Sequence, residues 1–260
     1  MVYKSLVNKK EVLLEEFGVS KLKSRVVVCP IEWKMVFPTD WVDQLKREYI
    51  VKEVIPGDNH LRKIEKNYIV KNTLFLFVNR GLSEATDRFY ILVKNPAVKE
   101  IIFVGSAASL IDELDTGDIN IPRFVLPWED MSSGYVDSFS VMPKADESLI
   151  KKITENSKVK ARKYGVKILN GNNATVELIY GETTELLEFF REMNVFTIDM
   201  ELSALYRLAA GFKKKAVGML RVSDRPLHNE DFWAQKHKKK KSMGDKGRQL
   251  VFDVIKSIIV

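Results

Sequence analysis

Short apolar, β-branched runs alternate with amphipathic segments along most of this 260-residue chain. Short runs bounded by polar or turn residues predict buried strands, and apolar residues at helical spacing predict helices that pack against them. The predicted strands are Val26–Cys29, Thr73–Val78, Glu100–Val104, Asp118–Ile121, Val166–Leu169, Val195–Ile198 and Ala216–Val222. The predicted helices are Lys9–Phe17, Trp41–Glu48, Glu84–Val93, Asp146–Tyr164, Glu182–Met193, Glu201–Ala210 and Lys246–Ile259. Strands that alternate with helices indicate a mostly parallel sheet covered by helices on both faces.

Length and composition favour one large α/β domain that spans residues 1–260, because no linker rich in Pro, Gly or Ser divides the chain. No apolar run reaches the length of a membrane span. The N-terminal Met1–Ser5 lacks the apolar core of a signal peptide. A single cysteine, Cys29, is typical of a reducing compartment and excludes an intrachain disulfide. We therefore expect a cytoplasmic protein.

The formal charge is +7, from 42 Lys and Arg residues against 35 Asp and Glu residues. The excess lysines are spread along the chain, and the one dense run is His237–Lys241. No aromatic residues alternate with that run, so we interpret it as a solvated loop or helix start, and keep a nucleic-acid site as the alternative. The three histidines, His60, His228 and His237, have no metal-ligand spacing. We expect neither nucleic acid nor a metal.

Two acids, Asp199 and Glu201, stand where the predicted strand Val195–Ile198 gives way to a helix that continues from Leu202. An ionised carboxylate only accepts hydrogen bonds and can accept two at once, which suits it to bind a pair of sugar hydroxyls. The alternative is that Asp199 or Glu201 caps the helix.

A third acid, Asp224, follows the strand Gly218–Val222 directly after Ser223. The carboxyl end of a parallel strand is where α/β folds bind ligands. The alternative is again a cap or turn residue.

These segments together resemble the nucleoside phosphorylase family, that is, the superfamily of purine nucleoside phosphorylases, uridine phosphorylases and methylthioadenosine nucleosidases. The resemblance extends from about Val26 to the C-terminus. Asp199 stands where the family has glutamate, a mild departure. The resemblance implies a three-layer α/β/α sandwich around a mixed, partly barrel-like sheet, and a homo-oligomer, commonly a hexamer built from dimers. The matching segments are Asp199–Tyr206, Val222–Asp224, the glycine-rich turn Val104–Leu110 and the strand Gly117–Pro122.

The resemblance assigns roles in the cleavage of an N-glycosidic bond. Glu201 would hold the two ribose hydroxyls and favour the developing positive charge of the sugar, with Met200 against the apolar edge of the ring. Asp224 would protonate the purine N7 as a general acid, oriented by Ser223.

The base would lie against Ile179 and Tyr180, for which ordinary core packing is the alternative. Pyrimidine-specific relatives carry a glutamine and an arginine just after this point, and Gly181–Thr184 contains neither. They also lack the serine–aspartate pair found here at Ser223 and Asp224. Both absences favour a purine.

The phosphate site departs from the family's pattern. The phosphorylases bind phosphate with a Gly-Asp-Pro-x-x-Arg loop after the first strand, where this chain has Pro30–Met35. Ile31 replaces the glycine, Met35 stands at the place of the arginine, and Phe103 replaces a second arginine. Of the usual phosphate ligands only Ser106 remains.

Three basic residues are candidates to replace those ligands. Arg80 follows the strand Thr73–Val78 beside the ribose, Lys34 belongs to the first loop, and Arg62 lies where the family often donates an arginine to a neighbouring subunit. An arginine fork binds phosphate well. For each of the three, an ordinary surface charge is the alternative.

We therefore predict phosphorolysis of a purine nucleoside to free base and ribose 1-phosphate, with inorganic phosphate as co-substrate and no organic cofactor. Gly105–Ala108 is not a dinucleotide fingerprint, because the later glycines are absent. One alternative is hydrolysis, since nucleosidases of the family use a glutamate in the first loop, and Glu32 is the acid available there. Another is a nucleoside-binding protein with little turnover.

Overall fold

The computed structural model describes residues 6–57, 66–129, 131–136, 143–228 and 238–259. The strands are β1 Arg25–Cys29, β2 Val51–Val54, β3 Asn67–Val70, β4 Thr73–Phe77, β5 Glu100–Ser109, β6 Ile119–Asn120, β7 Val125–Pro127, β8 Ile168–Leu169, β9 Asn172–Thr175, β10 Val195–Asp199 and β11 Lys215–Asp224. The helices are α1 Lys10–Phe17, α2 Trp33–Val36, α3 Trp41–Lys46, α4 Leu82–Lys94, α5 Glu147–Tyr164, α6 Thr184–Glu192, α7 Leu202–Gly211 and α8 Lys238–Ile259.

The strands form one mixed sheet, as the sequence predicts. Parallel pairs join β1 to β4 and β5, β5 to β11, β9 to β7 and β10, and β6 to β8. Antiparallel pairs join β2, β3 and β4 at one edge, and also β5 to β10 and β6 to β11. The predicted α/β class with a mixed, mostly parallel sheet is confirmed.

Strand β5 is the centre of the sheet, and the predicted turn inside it is wrong. The sequence pattern ends the strand at Val104 and begins a glycine-rich turn, yet β5 continues to Ser109 and pairs with β11 along its length. Within this strand Gly105 leaves room for the Phe103 ring, because a Cβ there would lie 2.6 Å from Cε1 of that ring. The first half of β5 pairs with β1 and its last residues pair with β10, so the sheet divides at this strand.

Alternate side chains of β11 face helices on opposite sides of the sheet. At Gly218 the strand meets Leu202 and Tyr206 of α7. Arg221, at a position of opposite parity, instead donates from Nε to the carbonyl of Met35 in α2, at 3.2 Å. The sheet therefore has helices on both faces, which gives three layers.

A tyrosine joins α7 to the sheet. The buried hydroxyl of Tyr206 donates to the carbonyl of Pro122 at 2.9 Å and accepts from the backbone N–H of Gly218 at 2.8 Å. Both polar functions of the hydroxyl are thereby satisfied inside the core.

The sequence pattern missed β2, β3, β7 and β9, as well as the one-turn helix α2, which begins within Pro30–Met35 and ends at Val36. Strand β2 is an edge strand whose Lys52 and Glu53 are exposed, so it lacks an apolar run. Helix α8 begins earlier than predicted and includes Lys238–Lys241, in agreement with the helix-start interpretation. Within the described ranges, no helix is both long enough and apolar enough to cross a bilayer.

Candidate active site

A cavity of about 730 Å³ lies where several strands of the sheet end. Its walls come from the segments that follow β1, β4, β9 and β10, and from the last residues of β4, β5, β10 and β11. It collects residues that are far apart in the chain, among them most of the residues that the sequence predicts. Those predicted residues are Arg80, Ser106, Ile179, Tyr180, Met200, Glu201, Ser223 and Asp224.

One predicted phosphate ligand, Lys34, does not line this cavity. Lys34 is mostly exposed and pairs with the carboxylate of Glu32, and it is Glu32 that lines the cavity. Arg62 lies outside the described residues. Arg80 is therefore the one basic side chain among the described residues that line the cavity.

Glu201 is a buried carboxyl at the start of α7, with only 4% of its surface exposed. Its Oε1 accepts a hydrogen bond from the backbone N–H of Gly81 at 2.7 Å. Burial, and secondarily the nearby carboxylate of Asp199, raise the pKa of Glu201 from 4.5 to about 8. The neighbouring Met200 is half-buried and lines the same cavity. Glu201 forms no side-chain cap bond to α7.

Asp199 is the residue that caps α7. Its buried carboxylate accepts four hydrogen bonds, from Asn173 Nδ2 at 2.8 Å, Thr175 Oγ1 at 2.6 Å, Glu201 N at 3.1 Å and Leu202 N at 2.8 Å. Four donors leave this carboxylate no capacity for a ligand. The capping alternative therefore holds for Asp199, and Glu201 is the carboxyl available to a sugar.

Replacing Asp199 with alanine is expected to lower the free energy of unfolding by roughly 2–3 kcal/mol, because buried donors would lose their acceptor. Chemical denaturation measures this loss. Asp146→Ala is the matched control, since Asp146 caps α5 through one bond to Leu149 N and is more exposed. Its expected loss is about 1 kcal/mol. Equal losses in the two variants would contradict the structural role given to Asp199.

Ser223 and Asp224 lie at a β-bulge, where the register between β11 and β5 shifts after Val222. Such a bulge redirects the side chains that follow it. Ser223 Oγ lies 3.1 Å from the carbonyl of Ala107 and within hydrogen-bond distance of Asp224 Oδ1. The hydroxyl has one proton for these two acceptors. When the hydroxyl donates to the carbonyl of Ala107, its oxygen can accept a hydrogen bond from a protonated Asp224 carboxyl.

Glu182 is a cavity residue that the sequence analysis missed. Burial, followed by the charge of Asp224, raises the pKa of Glu182 to about 7. The sequence analysis noted Gly181–Thr184 only for lacking the residues that bind uracil. The available signal was the position of Glu182, an acid two residues after the predicted base contact Tyr180.

Ile179 and Tyr180 belong to a 3₁₀ turn, Ile179–Gly181, at the edge of the cavity. They are 42% and 93% exposed, so the core-packing alternative is wrong for both. Phe103, in the place of a family arginine, is fully buried in the core. Ile31 and Met35 line the cavity as apolar groups.

The described residues contain no group of three or more His, Cys, Asp or Glu side chains arranged to hold a metal ion. The site is thus defined by carboxyl groups, two serines and an arginine around a cavity in a mixed α/β sheet.

Comparison with known proteins places the chain in a family. The model of the phosphorylase superfamily matches residues 75–259, which is more than half of the chain. The protein therefore belongs to the phosphorylase superfamily.

Its curated relatives include DeoD-type purine nucleoside phosphorylases. The protein of Chromobacterium violaceum is 26% identical over 188 residues, which cover 70% of this chain and 78% of the relative. That of Bacillus cereus is 26% identical over 140 residues, which cover 54% of this chain and 58% of the relative. The latter match thus spans little more than half of the Bacillus protein.

Among solved structures, purine nucleoside phosphorylase from Toxoplasma gondii in complex with immucillin-H has the same fold. The TM-score is 0.67 at 15% identity, and the alignment covers 92% of each chain.

Proposed function

We propose that this protein cleaves the N-glycosidic bond of a purine nucleoside by phosphorolysis, which yields free base and ribose 1-phosphate. The observation that carries the proposal is the presence of Glu201 and the Ser223–Asp224 pair in the walls of one cavity. Cleavage requires a group that holds the sugar and a group that protonates the leaving base. These residues are suited to the two tasks.

The proton would reach the base through Asp224, with Glu182 as its source. Burial and the negative charge of Asp224 raise the pKa of Glu182 to about 7, so Glu182 retains a proton near neutral pH. In our proposal Asp224 gives that proton to purine N7, and Ser223 orients Asp224. Ile179 and Tyr180 would contact the base.

The sugar would be held by Glu201 and Met200. An ionised Glu201 accepts from the two ribose hydroxyls, and its negative charge favours the cation-like transition state. Because the free protein has a Glu201 pKa of about 8, hydroxyl binding would have to compete with protonation. Ionisation of Glu201 therefore favours turnover as the pH rises toward 8, whereas loss of the retained proton above a pH of about 7 opposes it, so we expect a bell-shaped pH–rate profile with a maximum between these values.

Phosphate would bind at Ser106 and Arg80, both of which line the cavity. Lys34, and an Arg62 from a second subunit of a homo-oligomer, remain further candidates for the same anion. The proposal needs inorganic phosphate and no organic cofactor, and it fits the reducing cytoplasm that the single cysteine suggests.

Hydrolysis is the second candidate, because Glu32 lines the cavity beside the apolar Ile31 and Met35. A carboxylate can activate water, whereas it repels a phosphate dianion. The deciding experiment follows release of free base from inosine, adenosine, methylthioadenosine and uridine, with and without phosphate. Phosphate-dependent release from the purine nucleosides supports phosphorolysis, and equal release in its absence supports hydrolysis. No release from any of them would contradict both.

Replacing Arg80 with alanine is expected to raise the KM for phosphate by about tenfold or more, because a charge-assisted bond to the anion would be lost. Initial rates at varied phosphate concentration measure this. Arg191→Ala is the control, since Arg191 is a surface arginine of α6 paired with Glu188. An unchanged phosphate KM in the Arg80 variant would remove Arg80 from the site.

A further inference from the structure

The N-terminus of α4 binds two carboxylates that come from distant parts of the chain. The N–H of Gly81, the N-cap residue, donates to Glu201 at 2.7 Å. The next N–H, that of Leu82, donates to Oε2 of Glu177 at 2.6 Å. These N–H groups have no partner within the helix, and the helix dipole adds to their attraction for anions.

Glu177 is itself held in place from two directions. Its backbone N–H donates to the carboxylate of Glu129. The preceding residue, Val176, donates its N–H to the carbonyl of Asp199 at 2.9 Å. The backbone around Glu177 is thus held by the segment that follows β7 and by the end of β10.

The approach of Glu177 to α4 depends on a glycine. Gly81 has a φ of +99°, which side-chain-bearing residues rarely adopt. A Cβ at this position would lie 3.2 Å from Oε1 of Glu177, a close contact. The absence of a side chain at Gly81 therefore lets the Glu177 carboxylate reach the N-terminus of α4 beside Glu201.

We propose that Glu177 is a positioning residue that fixes the N-terminus of α4, and with it the N–H of Gly81 that orients Glu201 toward the sugar. This inference rests on the proposed function. Glu177 does not line the cavity and acts through Gly81 and Glu201. It also lies two residues before Ile179, so it links the turn proposed to contact the base to the carboxyl proposed to hold the sugar.

Glu177 and Glu201 are linked by electrostatic repulsion as well as by hydrogen bonds to neighbouring N–H groups. Burial is the main cause of the raised pKa of Glu201. The groups that also act on that pKa are Asp199 and Glu177, which raise it, and the Gly81 N–H and Arg80, which lower it. Removing the charge of Glu177 therefore makes Glu201 easier to ionise.

Two variants of Glu177 separate charge from anchoring. Glu177→Gln keeps an acceptor for Leu82 N–H, and we expect it to shift the acid limb of kcat/KM to lower pH by roughly half a pH unit. Glu177→Leu removes the acceptor, and we expect a rise of roughly tenfold in the nucleoside KM, larger than any fall in kcat. The control, Glu188→Gln, alters a half-exposed acid of α6 and should leave both parameters unchanged. An unshifted limb in Glu177→Gln together with an unchanged KM in Glu177→Leu would overturn the proposal.

A measurement without turnover distinguishes failure of this inference from failure of the proposed function. The free energy of unfolding is measured at pH 9 for the wild type, Glu177→Gln, Glu201→Gln and the double variant. Non-additive effects support the link between the two glutamates even if the wild type cleaves no nucleoside. Additive effects would refute the link even if cleavage is observed.

Discussion

Replacing Asp224 with asparagine is expected to reduce kcat for purine nucleoside cleavage by about 10²–10⁴-fold, the usual contribution of a general acid. Asparagine is close in size and keeps a hydrogen-bond contact with Ser223, but its amide N–H is not acidic enough to be transferred to N7. Nucleoside binding should therefore change much less than turnover. Release of free base from inosine at saturating nucleoside and phosphate measures the loss.

The fold of the Asp224 variant is checked by its thermal unfolding, which should match that of the wild type within a few degrees. Asp43→Asn, at an exposed position of α3, is the matched control for an Asp-to-Asn change and should keep full activity. Near-normal turnover by Asp224→Asn would remove Asp224 from the proton-donating role.

Replacing Glu201 with glutamine is expected to weaken transition-state binding by roughly 100-fold in kcat/KM. The neutral amide cannot supply the negative charge that favours the developing positive charge of the sugar. Its NH₂ group also replaces one acceptor oxygen with a donor. Initial rates at varied nucleoside concentration measure this effect, and the same substitution should change stability in the opposite direction.

The stability change follows from the raised pKa of Glu201. Folded Glu201 holds its proton up to a pH of about 8, whereas the unfolded side chain loses it near 4.5. The wild type therefore loses stability as the pH rises from 4.5 to about 8, and it remains penalised above that range. Glutamine does not titrate, so the variant should exceed the wild type at pH 9 by on the order of a few kcal/mol. Denaturant unfolding at pH 5 and pH 9 tests this. If the difference in free energy of unfolding between the variant and the wild type is the same at both pH values, the raised pKa of Glu201 is contradicted.

Local sequence was sufficient to predict the central elements of the fold. Strands such as Val26–Cys29 consist of consecutive apolar residues, and they lie within the sheet with neighbours on both sides. Strand β9 was missed because its asparagines give it no apolar pattern. Those side chains serve a buried network in which Asn173 binds both Thr197 and Asp199. Such a use of polar residues becomes visible only when the partners are known.

The site was predictable where its residues belong to one local segment. Glu201 follows the end of β10 by two residues and Asp224 is the last residue of β11, so local pattern located both. Glu182 and Glu177 could not be found in this way. The bond from Leu82 to Glu177 joins residues 95 positions apart, and the raised pKa of Glu182 depends on burial and on Asp224. Neither relation has a signature in the order of residues.

The hydroxyl of Tyr206 has a consequence for how the molecule selects its ligands. Through Gly218 it attaches α7, which begins beside Glu201, to β11, which ends at Asp224. Glu201 and Asp224 are thereby held by two elements that are bonded to each other in the core, and core packing fixes the distance between them. Variation among ligands must then be accommodated at the exposed turn Ile179–Gly181. Substitutions in that turn could therefore change which base is preferred while the spacing between Glu201 and Asp224 stays the same.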